Sequence, residues 1–181
     1  MPLSNYLKDS FNQFGKLKEL ADKAISQVVE KDFFALPDEH SNSIAIIMKH
    51  MAGNMRSRWR DFLTSDGEKP DRNRDSEFVI EKRDSKESIF QAWEKGWQYL
   101  FEALEPLGPD DLEETVLIRT EPHTVIEAVN RQLTHYAYHI GQIVFLARNL
   151  TGSNWKSLSI PKGKSDEFNI KMREKRLEDK A

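Results

Sequence analysis

Two histidines stand four residues apart in the segment HYAYHIGQ, within a stretch whose apolar pattern predicts a long amphipathic helix. Side chains at positions i and i+4 lie one above the other on a helix, with their Cβ atoms about 5–6 Å apart. His135 and His139 could therefore bind the same metal ion. The alternative is a pair of half-buried histidines that hydrogen-bond to backbone or carboxylate groups, and spacing alone leaves both interpretations open.

A third histidine, His50, lies in another predicted helix, in the segment IAIIMKHMAGNM. At about 100° per residue, all three histidines fall beside the apolar stripe of their helix, where two helices would meet next to a polar groove. Two ligands from one helix and one from another leave a position free on a tetrahedral metal, which is typical of catalytic sites. Four side chains on the same flanks could orient the ligands or line a substrate groove: Asn54, Arg131, Tyr138 and Gln142.

The two remaining histidines are expected to have no part in this site. His40 lies in the polar segment PDEHSN, which predicts a surface loop. His123 directly precedes Thr124 and is expected at a helix N-terminus, where the helix dipole disfavours a charged imidazole. Structural or surface roles are therefore expected for both residues.

The composition excludes several classes of function. The chain of 181 residues contains no cysteine, which excludes disulfides, cysteine-ligated zinc and thiol catalysis by the protein itself. The net charge of −3 creates no field that would attract nucleic acid or anionic lipid. The first residues, MPLSNYLKDSFNQF, lack the pattern of a secretory signal, and no apolar run is long enough to span a membrane. A cytoplasmic location is therefore expected.

Apolar residues at helical spacing predict four helices and an all-α protein. The helices are expected over about residues 4–29, 43–63, 84–106 and 124–150. Asp84 with Glu87, and Thr124 with Glu127, fit the capping-box pattern at the starts of the third and fourth helices. The segment ETVLIRT predicts a short extended piece before the fourth helix.

The connection between the second and third helices indicates how they are arranged. Residues 64–83 form a link of about 20 residues, far longer than the two to eight usual between antiparallel helices. Such a link can run back along a whole helix, so helices two and three can lie parallel. The prediction is a four-helix bundle with one long crossover, a known arrangement, within a single domain over residues 1–181.

Residues 151–181 predict a C-terminal tail that is mostly irregular, with its last ten residues frayed. Its first half is expected to pack back onto the bundle, which covers about residues 1–150. Four apolar residues suggest this contact: Trp155, Leu158, Ile160 and Phe168.

His50, the HxxxHxxQ pattern of His135, His139 and Gln142, and the four-helix layout together resemble the DinB/YfiT-like superfamily of proposed metalloenzymes. The segments NRQLTHYAYHIGQIVFLA and SLSIPKGKSDEFN are similar to a subfamily of unknown function within it, the YizA-like proteins. The resemblance implies an up-down-down-up four-helix bundle, a divalent metal such as zinc or nickel on the three histidines, and a homodimer. Characterised relatives include transferases and isomerases that depend on bacillithiol, mycothiol or glutathione.

A divalent ion on three neutral imidazoles keeps its charge and favours an anion in the free position. A low-molecular-weight thiol would bind there as a thiolate and attack an electrophilic carbon, which predicts a thiol S-transferase. Two alternatives stay open: a hydrolase that activates water on the metal, and a non-catalytic helical module in which the metal is structural or absent. No carboxylate has a spacing that would place a general base beside the ligands, so the sequence favours the transferase and indicates no catalytic side chain.

The expected partners are a small-molecule thiol, an electrophile and a second copy of the chain. Besides the resemblance, a dimer is suggested by many large apolar side chains for one small bundle: Met51, Met55, Trp59, Phe90, Trp93 and Trp97. Nucleic acid is not expected, because the segment KMREKRLEDK mixes charges of both signs.

Overall fold

The computed structural model describes residues 2–178, which form six α-helices and one antiparallel β-hairpin. The helices are α1 (Pro2–Ile25), α2 (Glu30–Phe33), α3 (Ile44–Trp59), α4 (Lys86–Leu104), α5 (Val125–Thr151) and α6 (Ser165–Glu178). The hairpin consists of β1 (Thr115–Ile118) and β2 (Glu121–Thr124). The chain is mostly helical, as predicted. Within the described range, no helix is long and apolar enough to cross a bilayer.

The four long helices α1, α3, α4 and α5 share one apolar core. Helix α3 packs chiefly against α4, and α1 against α5, while contacts of α3 with α5 and of α1 with α4 join the two pairs. Tyr136 lies at the centre, with its ring centroid 5.9 Å from those of Phe14 and Trp97. Buried aromatic pairs of this kind add about 0.5–1.5 kcal/mol to the free energy gained by burying their area. This packing fixes α3 and α5, the two helices that carry the three histidines.

The large apolar residues that suggested a dimer belong to this core. Trp59, Trp93 and Trp97 are almost fully buried within the single chain. The same holds for Met51 and Met55, and Phe90 packs against the core from its edge. These residues therefore give no reason to expect a second copy, and the homodimer stays a prediction from the resemblance.

Capping residues define where the helices begin. Thr124 and Glu127 form the predicted capping box of α5, because the Glu127 amide donates to Oγ1 of Thr124 and the Thr124 amide to the Glu127 carboxylate. The predicted box of Asp84 and Glu87 is wrong: α4 is capped one residue later, by Ser85 and Ser88. Asp84 instead accepts hydrogen bonds from the amide of Glu81 and the ammonium of Lys49.

Two helices end earlier than predicted. Helix α1 stops at Ile25, and the short helix α2 follows after a turn. Helix α3 stops at Trp59, because Arg60 is extended and Asp61 has a positive φ of 51°. The Asp61 carbonyl then accepts from the amides of residues 64 and 65, which closes a turn in place of another helical one.

The extended segment predicted before the fourth helix is present as β1, and β2 pairs with it from Thr115↔Thr124 to Ile118↔Glu121. The loop between α3 and α4 packs against both the hairpin and α3. The Gly67 amide donates to the Leu117 carbonyl of β1 over 2.8 Å. The Ser57 hydroxyl of α3 donates to the Gly67 carbonyl over 2.7 Å. These contacts fix the path of the loop, including its short 3-10 helix at Asp75–Phe78.

The C-terminal segment differs from the irregular tail that was expected. Residues 165–178 form α6, whose described side chains, up to residue 176, are exposed. Trp155 and Leu158 pack against the core as predicted, whereas Ile160 and Phe168 are exposed. Of the last ten residues, expected to be frayed, 179–181 lie outside the described residues.

Candidate metal centre

The structure brings His50 of α3 together with His135 and His139 of α5. One ligand atom of each histidine can be chosen so that all three lie within 4.8 Å of one another. The ring centroid of His50 is 4.9 Å from that of His139 and 5.5 Å from that of His135. The three side chains are thus close enough to hold one metal ion. The described residues contain no other such group of histidine and acidic side chains.

Each of the three imidazoles has an oxygen acceptor at Nδ1. Nδ1 of His50 lies 2.9 Å from Oε2 of Glu77, and Nδ1 of His139 lies 2.8 Å from Oε1 of Gln142. Nδ1 of His135 lies 3.4 Å from Oε1 of Gln132, a longer and weaker contact. Because these oxygens can only accept, the two short contacts favour a proton on Nδ1 of His50 and of His139, which leaves the Nε2 lone pair of each for a metal.

The Nε2 atoms of His135 and His139 lie only 3.0 Å apart. Without a metal, a proton on either Nε2 bridges this gap as a hydrogen bond. With both protons on Nδ1, the two Nε2 lone pairs are both free for one cation. Two nitrogens bound at 2.0–2.1 Å to a tetrahedral zinc ion are about 3.3 Å apart. The pair therefore fits a shared metal with only a small adjustment.

Burial keeps His135 and His139 neutral. Burial, followed by the nearby His139 and His50, lowers the pKa of His135 from its ordinary 6.5 to about 3. Burial also lowers the pKa of His139, although its hydrogen bond to Gln142 opposes the shift. A metal needs the unprotonated imidazole, so both residues are in the required form at neutral pH.

Glu77 is the main member of the site that the sequence did not reveal. Burial alone would raise the pKa of its carboxyl, but hydrogen bonds from His50 and Arg72 outweigh this effect, and the pKa lies below its ordinary value. Arg72 donates through Nε to Oε1 and through a terminal nitrogen to Oε2, at 2.8 and 2.9 Å. Glu77 therefore stays ionised and makes His50 a stronger electron donor to a metal.

The four candidates for orienting or lining roles have different positions. Gln142 bonds to His139, and Arg131 and Asn54 line a cavity of about 380 Å³ beside the three histidines. Asn54 also accepts a hydrogen bond from the buried Tyr136 hydroxyl over 3.0 Å. Tyr138 does not line this cavity: its side chain is 63% exposed, and its hydroxyl accepts from the Gln142 amide.

The cavity is lined by side chains that the sequence did not bring together. The loop between α3 and α4, the hairpin and α5 all contribute to it. Among the described residues that line it, none has a carboxylate and five are arginines: Arg58, Arg72, Arg74, Arg119 and Arg131. Of the residues missed, only Gln132 had a local signal, since it precedes His135 by three positions as Gln142 follows His139 by three.

The other histidines lie away from this centre. The His40 side chain is 86% exposed, in the expected surface loop, next to Glu39. His123 belongs to strand β2, where it pairs with Val116, and directly precedes the residue that caps α5. Neither residue belongs to the candidate metal group.

Comparison with known proteins places the chain in a family without assigning it an activity. A family model described as "Protein of unknown function (DUF1572)" matches residues 3–164, most of the chain. The matched range contains all three histidines, Glu77 and every arginine that lines the cavity. No curated protein matches the sequence significantly.

Proposed function

We propose that this chain, which belongs to the DUF1572 family of DinB-like proteins of unknown function, is a metal-dependent thiol S-transferase that acts on a small electrophile. The observation that carries the proposal is the open side of the three-histidine group. One ring nitrogen of each histidine lies within 4.8 Å of the others, and the described residues add no fourth histidine or carboxylate to the group. The adjoining cavity of about 380 Å³ can hold a small molecule.

His50, His135 and His139 would hold the ion, with zinc or nickel as the expected metals. When bound, a divalent ion would lower the pKa of a thiol in the free position and keep its sulfur as a thiolate. Glu77, Gln132 and Gln142 would hold the imidazoles in position through their Nδ1 protons. Such partners commonly change metal affinity by about 10–100-fold when they are replaced.

The reaction that we propose is a substitution at carbon. The thiol releases its proton to solvent water, a carbon–sulfur bond forms, and the leaving group departs with the electron pair of the bond that breaks. The lining of the cavity supports thiol transfer over hydrolysis. Its described residues include arginines and amides but no carboxylate that could act as a general base for water. Glu77 does not fill that role, because both of its oxygens are engaged by His50 and Arg72.

We propose four further properties of the chain, which are supported by the family resemblance or by the sequence alone. They are the up-down-down-up order of the four long helices, membership of the YizA-like subfamily, a homodimer and a cytoplasmic location. The pairing of α3 with α4 and of α1 with α5 is compatible with such a bundle.

The proposal can be tested by metal analysis followed by spectroscopy. The purified chain should contain about one divalent ion per chain, and His139→Ala should lose it, whereas replacing the exposed His40 should not. In the cobalt-substituted protein, a cellular thiol should add a sulfur-to-metal charge-transfer band. The same thiol should be conjugated to a test electrophile, and His139→Ala should abolish both signals.

Two outcomes would replace the proposal. If thiols leave the cobalt spectrum unchanged while an ester or amide is hydrolysed, the site activates water instead. If neither reaction occurs and a fourth protein ligand completes the coordination of the metal, the chain is a metal-binding module without catalysis. An unchanged metal content in His139→Ala would refute the three-histidine assignment itself.

A further inference from the structure

The five arginines that line the cavity form a second feature of the site, which we call the arginine cluster: Arg58, Arg72, Arg74, Arg119 and Arg131. We propose that the arginine cluster binds an oxyanion, a phosphate or carboxylate group, of the molecule that reacts at the three histidines. That this molecule is the substrate rests on the proposed function. The binding of the oxyanion itself does not.

The arginine cluster holds more positive charge than its carboxylate partners neutralise. Glu68 receives hydrogen bonds from Arg58, Arg72 and Arg119 at 3.0–3.2 Å. Glu77 pairs with Arg72. Asp66 is the third carboxylate nearby, and it is bound to backbone amides. Five guanidinium groups thus face three carboxylates, and like charges held together in a cavity attract an anion.

Two arginines of the cluster remain available for such an anion. Among the described residues, neither Arg74 nor Arg131 forms an ion pair with a carboxylate, unlike the other three. The Arg74 guanidinium lies 4.9 Å from the centre of the Phe78 ring, which also lines the cavity. Guanidinium groups pair with carboxylate or phosphate through two parallel hydrogen bonds, so unused donors here suit an oxyanion.

The turn that carries Arg119 is held in a costly conformation. Arg119 and Thr120 connect β1 and β2 with φ values of 56° and 65°. Glycine and asparagine favour this region, whereas a β-branched threonine rarely adopts it. The Asp66 carboxylate offsets the cost by accepting from both backbone amides, at 2.8 and 2.7 Å. Strained residues persist where the surroundings enforce them, commonly at ligand sites, and this turn places Arg119 at the cavity.

The size of the cavity and the charge of the whole chain define the kind of ligand. A volume of about 380 Å³ suits a small molecule, and the net charge of −3 gives no overall field that would attract a nucleic acid. The ligand is therefore a small molecule that presents its anionic group to the arginines and its reacting atom to the metal.

The test measures anion binding by calorimetry with inorganic phosphate and with malonate, on the full chain as purified and at low ionic strength. Arg74→Ala and Arg131→Ala should each raise the dissociation constant of the more tightly bound anion about 10-fold or more. The loss of a hydrogen bond to a charged group has about that effect. Arg148→Ala is the matched control, because Arg148 is an exposed arginine of the same helix as Arg131 and lies outside the cavity. It should bind both anions as the unchanged chain does.

Either anion binding more weakly to both cavity variants supports the proposal, and the tighter of the two anions identifies the group as phosphate or carboxylate. The proposal is overturned if neither anion binds to the unchanged chain, or if all variants bind the anions equally. It is also overturned if Arg148→Ala loses as much anion affinity as the two cavity variants. Metal content is measured on every sample and should be the same in all of them. The unchanged chain could prove to contain no metal and still bind the anion, with binding lost in both cavity variants. That outcome would refute the proposed function and leave this inference standing.

Discussion

Glu77 connects the metal centre to the arginine cluster, because His50 donates to one of its oxygens and Arg72 to both. Glu77→Gln would keep the size of the side chain but remove its charge. We expect metal affinity to fall about 10–100-fold, because His50 loses an ionised acceptor. We also expect the metal-free protein to lose about 1–3 kcal/mol of unfolding free energy, because buried Arg72 loses its charged partner. Competition with a chelating dye and urea unfolding would measure the two effects.

The control for this change is Asp75→Asn, which removes an exposed carboxylate from the same 3-10 helix as Glu77. It should change neither quantity measurably. Equal metal affinity in Glu77→Gln and in the unchanged chain would show that His50 does not depend on this carboxylate.

The buried histidines predict how the stability of the metal-free protein depends on pH. The folded pKa of His135 is about 3, against an ordinary 6.5. Below pH 6.5 the unfolded chain therefore binds a proton that the folded chain does not, and stability decreases until the pH reaches about 3. His139 acts in the same direction. Urea unfolding at about pH 7.5 and about pH 5 should thus give lower stability at the lower pH.

His135→Gln should reduce this pH dependence, because the unfolded chain then has one proton fewer to gain. Replacing the exposed His40 with Gln should leave the dependence as it is. Glu68 and Glu77 have folded pKa values below the ordinary one, so they also lose stability as the pH falls. Their loss occurs mainly below the unfolded glutamate pKa of about 4.3, outside this interval. A dependence that is the same in His135→Gln would contradict the assignment of the shift to this residue.

At the scale of elements, a glycine allows the loop between α3 and α4 to reach the metal centre. Gly53 lies in α3, and a Cβ at this position would overlap the Glu77 carboxylate, 2.6 Å from its Cδ. We expect Gly53→Ala to push Glu77 away from His50 and to lower metal affinity by about as much as Glu77→Gln does. In the double variant the two losses should not add, because both act through the same contact.

Gly15→Ala is the matched control in α1, where an added Cβ meets no atom of the described residues within 4 Å. It should stabilise the protein by about 0.5–1 kcal/mol, the usual gain of alanine over glycine inside a helix, and leave metal binding as it was. If Gly53→Ala also stabilises the protein and binds metal normally, the loop does not depend on this close approach.

Local spacing made the two histidines of α5 and the adjacent Gln142 predictable, because residues three or four apart on a helix are neighbours. Glu77 was not predictable in this way, since it is 27 residues from His50 and reaches it through an irregular loop. Tertiary contacts such as Ser57 with Gly67 set the path of that loop. Helix α6 was missed for a different reason: it buries no apolar stripe, and periodicity detects only helices that do.

At the scale of the whole molecule, the exposed apolar side chains indicate where a second copy could bind. The tryptophans and methionines that first suggested a dimer are buried in the core of a single chain. On α5, however, Phe145 is 70% exposed and Tyr138 is 63% exposed, seven residues apart on one face. Large exposed aromatic residues are enriched at protein interfaces. The proposed homodimer is therefore expected to use this face of α5.

Phe145→Glu should convert the dimer to a monomer, because a charge at the centre of an apolar contact is left without a partner on association. Light scattering at micromolar concentration should then give a mass near 21.1 kDa for the variant and about twice that value for the unchanged chain. Leu117→Glu changes an exposed apolar residue of β1 instead and should remain dimeric. If the unchanged chain already has the mass of one copy, the dimer is refuted. If Phe145→Glu remains dimeric, the interface lies on another face, and this use of α5 is wrong.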